Sequence, residues 1–400
     1  MKFLLLSLFI SASVFAKAKT DVSGNVEAQA RHSWNNEMAK DDLFQDWDEE
    51  DFFLMYGNLN GKMDLDSFGK FESNIFARYS RSDLYEQRPA PLPKFAAPMI
   101  FTFPNKLVAR DLFKLQHDKY SNNHREELVL NKFYYEGEIQ GHRYMLGRMY
   151  INYGQGEIFN PINPFNQPTG LTSISQVAQG NDGGNFTYFM NDKHTVDFYF
   201  LGDKSADNYN GDIQKTLWIH GEYAASDKLQ LDYVFGEDQK RNKLGGQIRY
   251  NFEEAMVFTQ ALYQSDFTDD TESHPLMDLV LGYDQQVTNK WHLRVEGGYQ
   301  KTNRTVALEN ALNNRFLPTE YFVALANQYE VHPLVKLGGT IVNDVKSGFT
   351  YFITRNVFDL GHNTEAELFG YVPLAKGDSV EYQAQKLVTT DIGMAIRTFF

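Results

Sequence analysis

The 400-residue sequence contains no cysteine, only 12 prolines, and no long apolar stretch beyond its N-terminal region. The lack of cysteine excludes disulfide bonds and thiolate metal sites. A membrane-spanning helix needs ~20 consecutive apolar residues, and no later segment meets that requirement. The chain is therefore either soluble or crosses a membrane as a closed β-barrel, the other architecture that pairs every backbone polar group in lipid.

The chain is also short of positive charge. Its 38 Lys and Arg residues face 52 Asp and Glu residues, which gives a net charge of -14 at pH 7. This excess of negative charge argues against a nucleic-acid partner. It is explained equally well by the need to keep an exported protein soluble. The 10 histidines are scattered and form no Ser/His/Asp arrangement with sequence neighbours, and no phosphate-binding loop is present. The sequence predicts no enzyme, no cofactor and no metal site.

Residues 1–16 have the pattern of a secretory signal peptide. Lys2 precedes a short apolar run, and small residues lead up to Ala16, after which we expect cleavage. The remaining chain, 17–400, shows no domain boundary and no fixed-period repeat. We expect it to form a single domain.

Alternation of apolar and polar residues is abundant in this chain. Such period-two segments are typical of β-strands. About eighteen of them are predicted to begin near Val22, Phe53, Gly69, Glu127, Tyr144, Asn185, Thr195, Thr216, Leu229, Leu244, Ala255, Met277, Trp291, Tyr321, Val335, Phe349, Glu365 and Leu387. Tyr and Phe gather at the ends of the apolar runs, as in the interfacial girdles of membrane barrels.

The connections between these segments alternate between short and long along nearly the whole chain. Turns such as 140–142 and 226–228 are short, whereas 82–124 and 153–183 are long. Bacterial barrels place short turns in the periplasm and long loops outside. The sequence therefore predicts an all-β fold, a transmembrane antiparallel up-and-down barrel of 16–18 strands with apolar outward faces and polar inward faces. A secreted soluble β-protein is the alternative.

The chain ends in an alternating segment, 391–400, that finishes at Phe400. It resembles the C-terminal signal that the barrel-assembly machinery of Gram-negative bacteria reads. That resemblance implies this machinery as a partner, together with outer-membrane lipid and lipopolysaccharide, and a location in the bacterial outer membrane. An apolar outer wall suits lipid and a neighbouring barrel equally, so a homo-oligomer remains open.

The most distinctive interior stretch is 147–166. It contains Gly147-Arg148, Gly154, Asn160-Pro161 and Asn163-Pro164, where proline stiffens the loop. These residues resemble a signature of large outer-membrane porin-like proteins, including the alginate-export type. The chain departs from that signature with Met149 in place of Gln and Tyr153 in place of Trp. The resemblance covers about 20 residues.

In general porins the third outer loop folds into the lumen, so the resemblance implies that 153–184 narrows the channel. The candidate constriction residues are Glu157, Asn160, Asn163 and Asp182. A rigid outer loop that caps the barrel is the alternative for the same stretch.

Charged residues on the predicted inward faces are candidates for lining the lumen, where rings of opposite charge tune ion selectivity. They are Glu72, Arg78, Arg148, Asp232, Arg249, Arg294, Glu296, Glu365, Glu367 and Arg397. The alternative is that these groups pair with each other and brace the wall.

The function predicted from these features is passive diffusion of small hydrophilic solutes or ions. A surface or adhesion barrel, with the acidic stretch 41–51 and the proline-rich stretch 88–93 as its interaction surface, is the alternative. A barrel hydrolase is a third hypothesis. The acidic stretch lacks the spacing of an EF-hand loop, so we interpret it as a solvated loop rather than a calcium site.

Overall fold

The computed structural model describes residues 19–34, 49–82, 108–110, 112–113, 115–120, 124–165, 180–204, 213–238, 241–266, 276–300, 320–346, 348, 350–375 and 390–400. The predicted signal peptide, the proline-rich stretch 88–93 and residues 41–48 of the acidic stretch 41–51 lie outside these residues, whereas 49–51 are described. No helix in the described ranges is long and apolar enough to cross a membrane.

The described residues form twenty strands in one sheet. They are β1 (Lys19–Trp34), β2 (Glu49–Asp64), β3 (Lys70–Ser82), β4 (Val108–Arg110), β5 (Gln116–Tyr120), β6 (His124–Ile139), β7 (His142–Tyr150), β8 (Gly180–Asn191), β9 (His194–Asp203), β10 (Gln214–Ala224), β11 (Leu229–Asp238), β12 (Arg241–Asn251), β13 (Ala255–Asp266), β14 (Leu276–Thr288), β15 (Trp291–Gln300), β16 (Tyr321–His332), β17 (Val335–Asp344), β18 (Thr350–Gly361), β19 (Thr364–Ala375) and β20 (Thr390–Phe399). A single 3₁₀ turn, Asp66–Phe68, joins β2 to β3.

Eighteen of these strands, all but the short β4 and β5, make a closed antiparallel barrel. Each pairs with its neighbours in chain order, and β3 passes directly to β6. The barrel closes where β20 pairs with β1. At this junction the backbone N–H of Gly24 donates to the carbonyl of Phe400 at 2.9 Å, and the Phe400 N–H returns a bond at 3.0 Å. The predicted all-β antiparallel barrel is confirmed, and every predicted strand start falls within a few residues of an observed one.

The outward face is apolar, as the alternation predicted. Large side chains on it remain exposed, as expected for a surface that contacts hydrocarbon rather than a second sheet. They include Met55, Leu59, Leu217, Phe235, Leu244, Ile248, Leu281, Trp291, Ile392, Met394 and Ile396. The apolar side chains therefore do not meet in a dry centre between two stacked sheets, which excludes a sandwich.

Placing a charge on this belt tests the assignment. Leu281 lies near the middle of β14 and is 61% exposed. We expect Leu281→Arg to lower the free energy of unfolding by about 2–4 kcal/mol, because a guanidinium near the bilayer midplane is poorly solvated. Denaturant unfolding in lipid vesicles measures this. The control is Phe252→Arg in the turn 252–254, which should cost about 0–1 kcal/mol. Equal costs at the two sites would show that Leu281 does not face hydrocarbon.

The inward face is less polar than the sequence suggested. It carries charged residues, but it also carries buried apolar clusters. One cluster groups Phe52, Leu54, Tyr56, Phe76 and Val129 on β2, β3 and β6. Larger ones lie along β6 to β13 and along β13 to β20. The prediction that the inward faces are polar therefore holds only in part. Some of the inner wall is apolar because it is covered by protein instead of water.

The two ends of the barrel differ as predicted. At one end, the short-turn end, eight connections such as 140–141 and 192–193 join neighbouring strands. At the other, the long-loop end, the connections include 35–48, 151–179 and 301–320. The exceptions at the long-loop end are 239–240 and 345–349, which are short.

The wall is irregular at the long-loop end, where β7 and β8 end before β6 does. β7 ends at Tyr150, opposite Gly180 at the start of β8. β6 extends further, and β5 pairs with this extension from Gln116↔Val129 to Tyr120↔Arg125. β4 runs parallel to the start of β8. The described residues of 108–120, the bridging segment, thus span the tips of β7 and β8.

Candidate functional site

After Tyr150 the chain turns to the inner side of the barrel, and 151–165, the inward segment, packs against the inner wall. Ile162 and Phe165 are fully buried among residues of β6 to β13, with the Phe165 ring 5.5 Å from that of Trp218. Ile158 and Phe159 pack among residues of β13 to β20. The segment therefore contacts both groups of apolar wall residues, which explains why they are buried.

Two asparagines hold the shape of the inward segment. Asn160 Nδ2 donates to the carbonyl of Tyr153 at 2.6 Å. Asn163 Nδ2 donates to the carbonyl of Ile151 at 3.3 Å, and its Oδ1 accepts the N–H of Phe165 at 3.1 Å. Both side chains are buried. The Asn-Pro steps thus form a stiff, internally bonded turn, and these amides brace the backbone.

Glycine is required where the segment turns. Gly154 has φ +81, a conformation that side chains disfavour, and a Cβ there would lie 2.4 Å from Asn160 Oδ1. Asn160 can therefore reach the Tyr153 carbonyl only because residue 154 has no side chain.

Arg294 on β15 fixes the segment to the wall. Its Nε donates to Glu296 Oε1 at 2.7 Å, and its Nη1 donates to Asp284 Oδ2 at 2.8 Å. The same Nη1 lies 3.2 Å from Glu157 Oε1, and Nη2 donates to the carbonyl of Gln155. One guanidinium therefore joins two wall carboxylates to the side chain and backbone of the inward segment.

Backbone donors of the segment complete this attachment. Glu296 Oε1 accepts the N–H of Glu157 at 2.8 Å, and Oε2 accepts that of Ile158 at 3.0 Å. Gln247 Oε1 accepts the N–H of Gln155 at 3.0 Å. Glu296 is almost fully buried and receives both Arg294 and two amides, which compensates its charge.

Glu157 is the charged side chain of the inward segment, and 60% of it remains exposed. Partial burial against the wall raises its pKa, which the Arg294 guanidinium opposes and the Glu296 and Asp284 carboxylates reinforce. The net direction is upward, so this carboxyl gains a proton at a higher pH than an ordinary glutamate.

Most of the other predicted lining residues face inward and have charged or polar partners. Arg78 pairs with Glu127, Glu72 with Lys132, Glu367 with Arg355, Arg397 with Glu27 and Glu365, and Asp232 with Gln247. Arg249 also faces inward and forms no ion pair within 4.0 Å among the residues described. The inner surface therefore carries both ion-paired charged residues and Arg249, which has no ion pair in the described part of the chain. That these residues influence conduction remains a prediction.

Arg148 and Asp182 occupy a different position, buried in the wall at 1% and 0% exposure. Arg148 Nε donates to Asp182 Oδ1 at 2.6 Å and Nη2 to Oδ2 at 2.8 Å. Nη1 donates to the Leu130 carbonyl at 2.9 Å. Asp182 Oδ2 also accepts the N–H groups of Leu112 and Phe113, at 2.8 and 2.9 Å. This pair binds β6, β7, β8 and the bridging segment together.

Sequence reasoning missed several residues of these networks. Glu27 is fully buried, accepts from Tyr56, Gln29 and Arg397, and is the centre of an inner cluster. Asp284 holds both Arg294 and His292. An acidic residue on the predicted inward face of each strand was the available signal, but the partner of each acid depends on the register between strands.

No protein-family model matches the sequence, and no curated protein matches it significantly. The fold, however, is similar to that of solved barrels. A BenF-like porin from Pseudomonas fluorescens Pf-5 aligns with a TM-score of 0.61 at 8% identity, over 96% of this chain and 98% of that chain. OccK8 (OprE) of Pseudomonas aeruginosa gives 0.58 and OccAB4 of Acinetobacter baumannii 0.57, each at 9% identity over 96% and 98%.

The chain is therefore an eighteen-stranded antiparallel β-barrel with the architecture of these structures. At such low identities the likeness concerns the fold alone, and function has to be argued from the site.

Proposed function

We propose that the protein is a porin-like channel of the bacterial outer membrane, through which small hydrophilic solutes or ions diffuse passively. The observation that carries this proposal is a closed barrel with an apolar outside and an inward segment that holds a charged side chain open to solvent. Arg355 and Glu365 also face inward, with 45% and 40% of their side chains exposed. Water reaches these groups, as a conducting lumen requires.

The inward segment is the proposed constriction. Of the stretch 153–184 assigned to it, 166–179 lies outside the described residues. Contacts with both halves of the inner wall support a position within the lumen rather than a cap above it. Arg294 and Glu157 are the charges that passing ions would meet at this level.

Recording from planar lipid bilayers tests the proposal. Purified, folded protein should insert and give stepwise currents in KCl, and vesicles that contain it should release a small labelled sugar. Protein that inserts, keeps its folded mobility in unheated gels and passes neither ions nor sugar would contradict a channel function.

Glu157→Gln should alter ion selectivity. Ionised Glu157 adds negative charge at the constriction, so we expect the variant to have a lower cation-to-anion permeability ratio, measured from reversal potentials in a KCl gradient. As the pH is lowered, the wild-type channel should lose its cation preference when Glu157 is protonated. Because the pKa of Glu157 is raised, this loss should come at a higher pH than the value of about 4.3 at which an ordinary glutamate titrates. The variant should lack this step.

The matched control is Glu253→Gln, which removes an exposed carboxylate in a turn at the short-turn end. Its selectivity should equal that of the wild type. An unchanged pH profile in Glu157→Gln would mean that this carboxyl does not face the conducting path.

The finer assignments remain proposals. The alginate-export resemblance rests on the motif in 147–164. Recognition by the barrel-assembly machinery rests on the strand that ends at Phe400. The surface-protein alternative rests on 41–51 and 88–93, of which only 49–51 lie within the described residues.

A further inference from the structure

The outward face of the barrel carries a groove of about 420 Å³ across β16, β17 and β18. This outer groove runs over Gly339 and is lined mainly by Leu325, Leu337, Ile341 and Phe352. Gly339 is the outward-facing residue between Leu337 and Ile341, so β17 has no side chain there. The wall therefore has a depression beside large apolar side chains that stay exposed, such as Leu325 and Ile341.

Asn327 lies directly beside this depression, because it is the register partner of Gly339 on β16. It is exposed on the same outward face, between Leu325 and Tyr329. Tyr321 and Tyr329 are the exposed residues near the two ends of that face, as expected where aromatic girdles meet the membrane interfaces. Asn327 therefore lies between the girdles, on the part of the wall that contacts hydrocarbon.

The amide of Asn327 is only partly satisfied within the barrel. Its Oδ1 accepts the indole N–H of Trp291, whereas its Nδ2 makes no hydrogen bond in the described part of the chain. Nearby polar side chains differ in this respect, since Thr354 donates to the Gly338 carbonyl and Asn356 donates to Thr354, each at 3.1 Å. An unpaired amide donor that faces hydrocarbon is costly, because lipid chains offer no acceptor.

A second asparagine can satisfy such an amide, because each side chain has two N–H donors and an oxygen with two lone pairs. Two copies related by a two-fold axis beside Asn327 would exchange Nδ2–H···Oδ1 bonds, since a two-fold contact is self-complementary. The same rotation places Leu325 and Tyr329 of each copy against the outer groove of the other. A lipid chain would also fill the groove, but it would leave the amide unpaired.

We propose that Asn327 and the outer groove form a two-fold interface between two copies of this barrel in the membrane. Small residues that allow close approach, and polar side chains that pair across the contact, are the features by which proteins associate in lipid. Gly339 supplies the first feature and Asn327 the second. This inference goes beyond the proposed function, because it requires a membrane barrel but does not require conduction.

Cysteine crosslinking in lipid vesicles tests the contact, since the chain has no cysteine of its own. A two-fold axis beside residue 327 brings that residue next to its own copy, so Asn327→Cys should form disulfide-linked dimers on mild oxidation. The control is Ile248→Cys, at an outward position of β12 that is 52% exposed. We expect Asn327→Cys to crosslink at least tenfold faster at the same protein-to-lipid ratio. Equal rates would overturn the interface.

Sedimentation equilibrium in density-matched micelles measures the dimer without crosslinks. Asn327→Leu removes the pairing amide and Gly339→Leu fills the groove, so each should raise the dissociation constant at least tenfold. A Cβ at residue 339 would lie 3.0 Å from the edge of the Phe352 ring, which can move aside, so the barrel should still fold. The matched controls are Thr259→Leu and Gly57→Leu, at exposed or open positions of β13 and β2. They should leave the dissociation constant unchanged.

Wild-type protein that stays monomeric at every concentration would overturn the proposal. Phospholipid that co-purifies with such a monomer, and is lost in Gly339→Leu, would identify a lipid chain as the occupant of the groove instead. A dimer that Asn327→Leu and Gly339→Leu weaken no more than the controls would also contradict this interface. Folded dimers that pass no current would contradict the channel function and leave the interface standing, so the two failures are distinguishable.

Discussion

Arg294→Ala should release the inward segment and produce the largest change in channel current. The substitution removes the guanidinium that joins Asp284 and Glu296 to Glu157 and the Gln155 carbonyl. Single-channel conductance in planar bilayers should rise, with added noise as 155–158 moves. The free energy of unfolding should fall by about 3–5 kcal/mol, because buried carboxylates lose their counter-charge.

Two further variants separate loss of this attachment from loss of any lumenal cation. Arg294→Lys should restore part of the wild-type conductance, since lysine supplies the charge but not the planar set of donors. Arg249→Ala removes an inward arginine that has no ion pair within 4.0 Å among the described residues, so it should leave the noise unchanged. Equal effects of the two alanine variants would mean that charge alone, not attachment, sets the current.

Arg148→Met should produce the largest loss of stability from a single wall contact. It leaves the fully buried Asp182 carboxylate with the two N–H donors of the bridging segment and no cation. We expect the free energy of unfolding to drop by about 3–5 kcal/mol. Urea titration followed by the gel mobility of the folded barrel measures it.

A double variant shows whether the loss of stability comes from the uncompensated Asp182 carboxylate or from altered packing. Arg148→Met/Asp182→Leu removes both charges, and we expect it to recover part of the loss, because apolar replacement of a buried pair is often close to neutral. Lys346→Ala breaks a half-exposed pair with Glu320 and should cost only about 0–1 kcal/mol. If the double variant were less stable than Arg148→Met, the ion pair would not be the source of the effect.

The fold was predictable because each wall strand carries its own signal. Alternation such as Leu244, Gly246 and Ile248 fixes both the strand and its outward face without knowledge of its neighbours. The order of strands then follows from short turns. β4 and β5 gave no such signal, since three and five residues are too few for a period to be read, and their pairing depends on where β7 ends.

The site was predictable only in part. Glu157, Asn160 and Asn163 were selected from the Asn-Pro motif, and the structure places them together on the inward segment. That Asn160 and Asn163 brace the backbone could not be read from the sequence, because it depends on how the loop folds. Arg148 and Asp182 are 34 positions apart, and only the register of β7 and β8 brings them into contact.

The seam between β1 and β20 joins the first described strand to the last. A side chain at residue 24 would lie 2.4 Å from the Asn58 carbonyl oxygen and 2.7 Å from the Phe400 ring, so the fit there allows only glycine. Until Phe400 reaches Gly24, β1 and β20 each present an unpaired edge, which hydrocarbon does not tolerate. Hairpins can form before closure, but an open sheet is unstable in a bilayer because the backbone groups at its edges are unpaired. Closing the barrel therefore requires the backbone contact between Phe400 and Gly24.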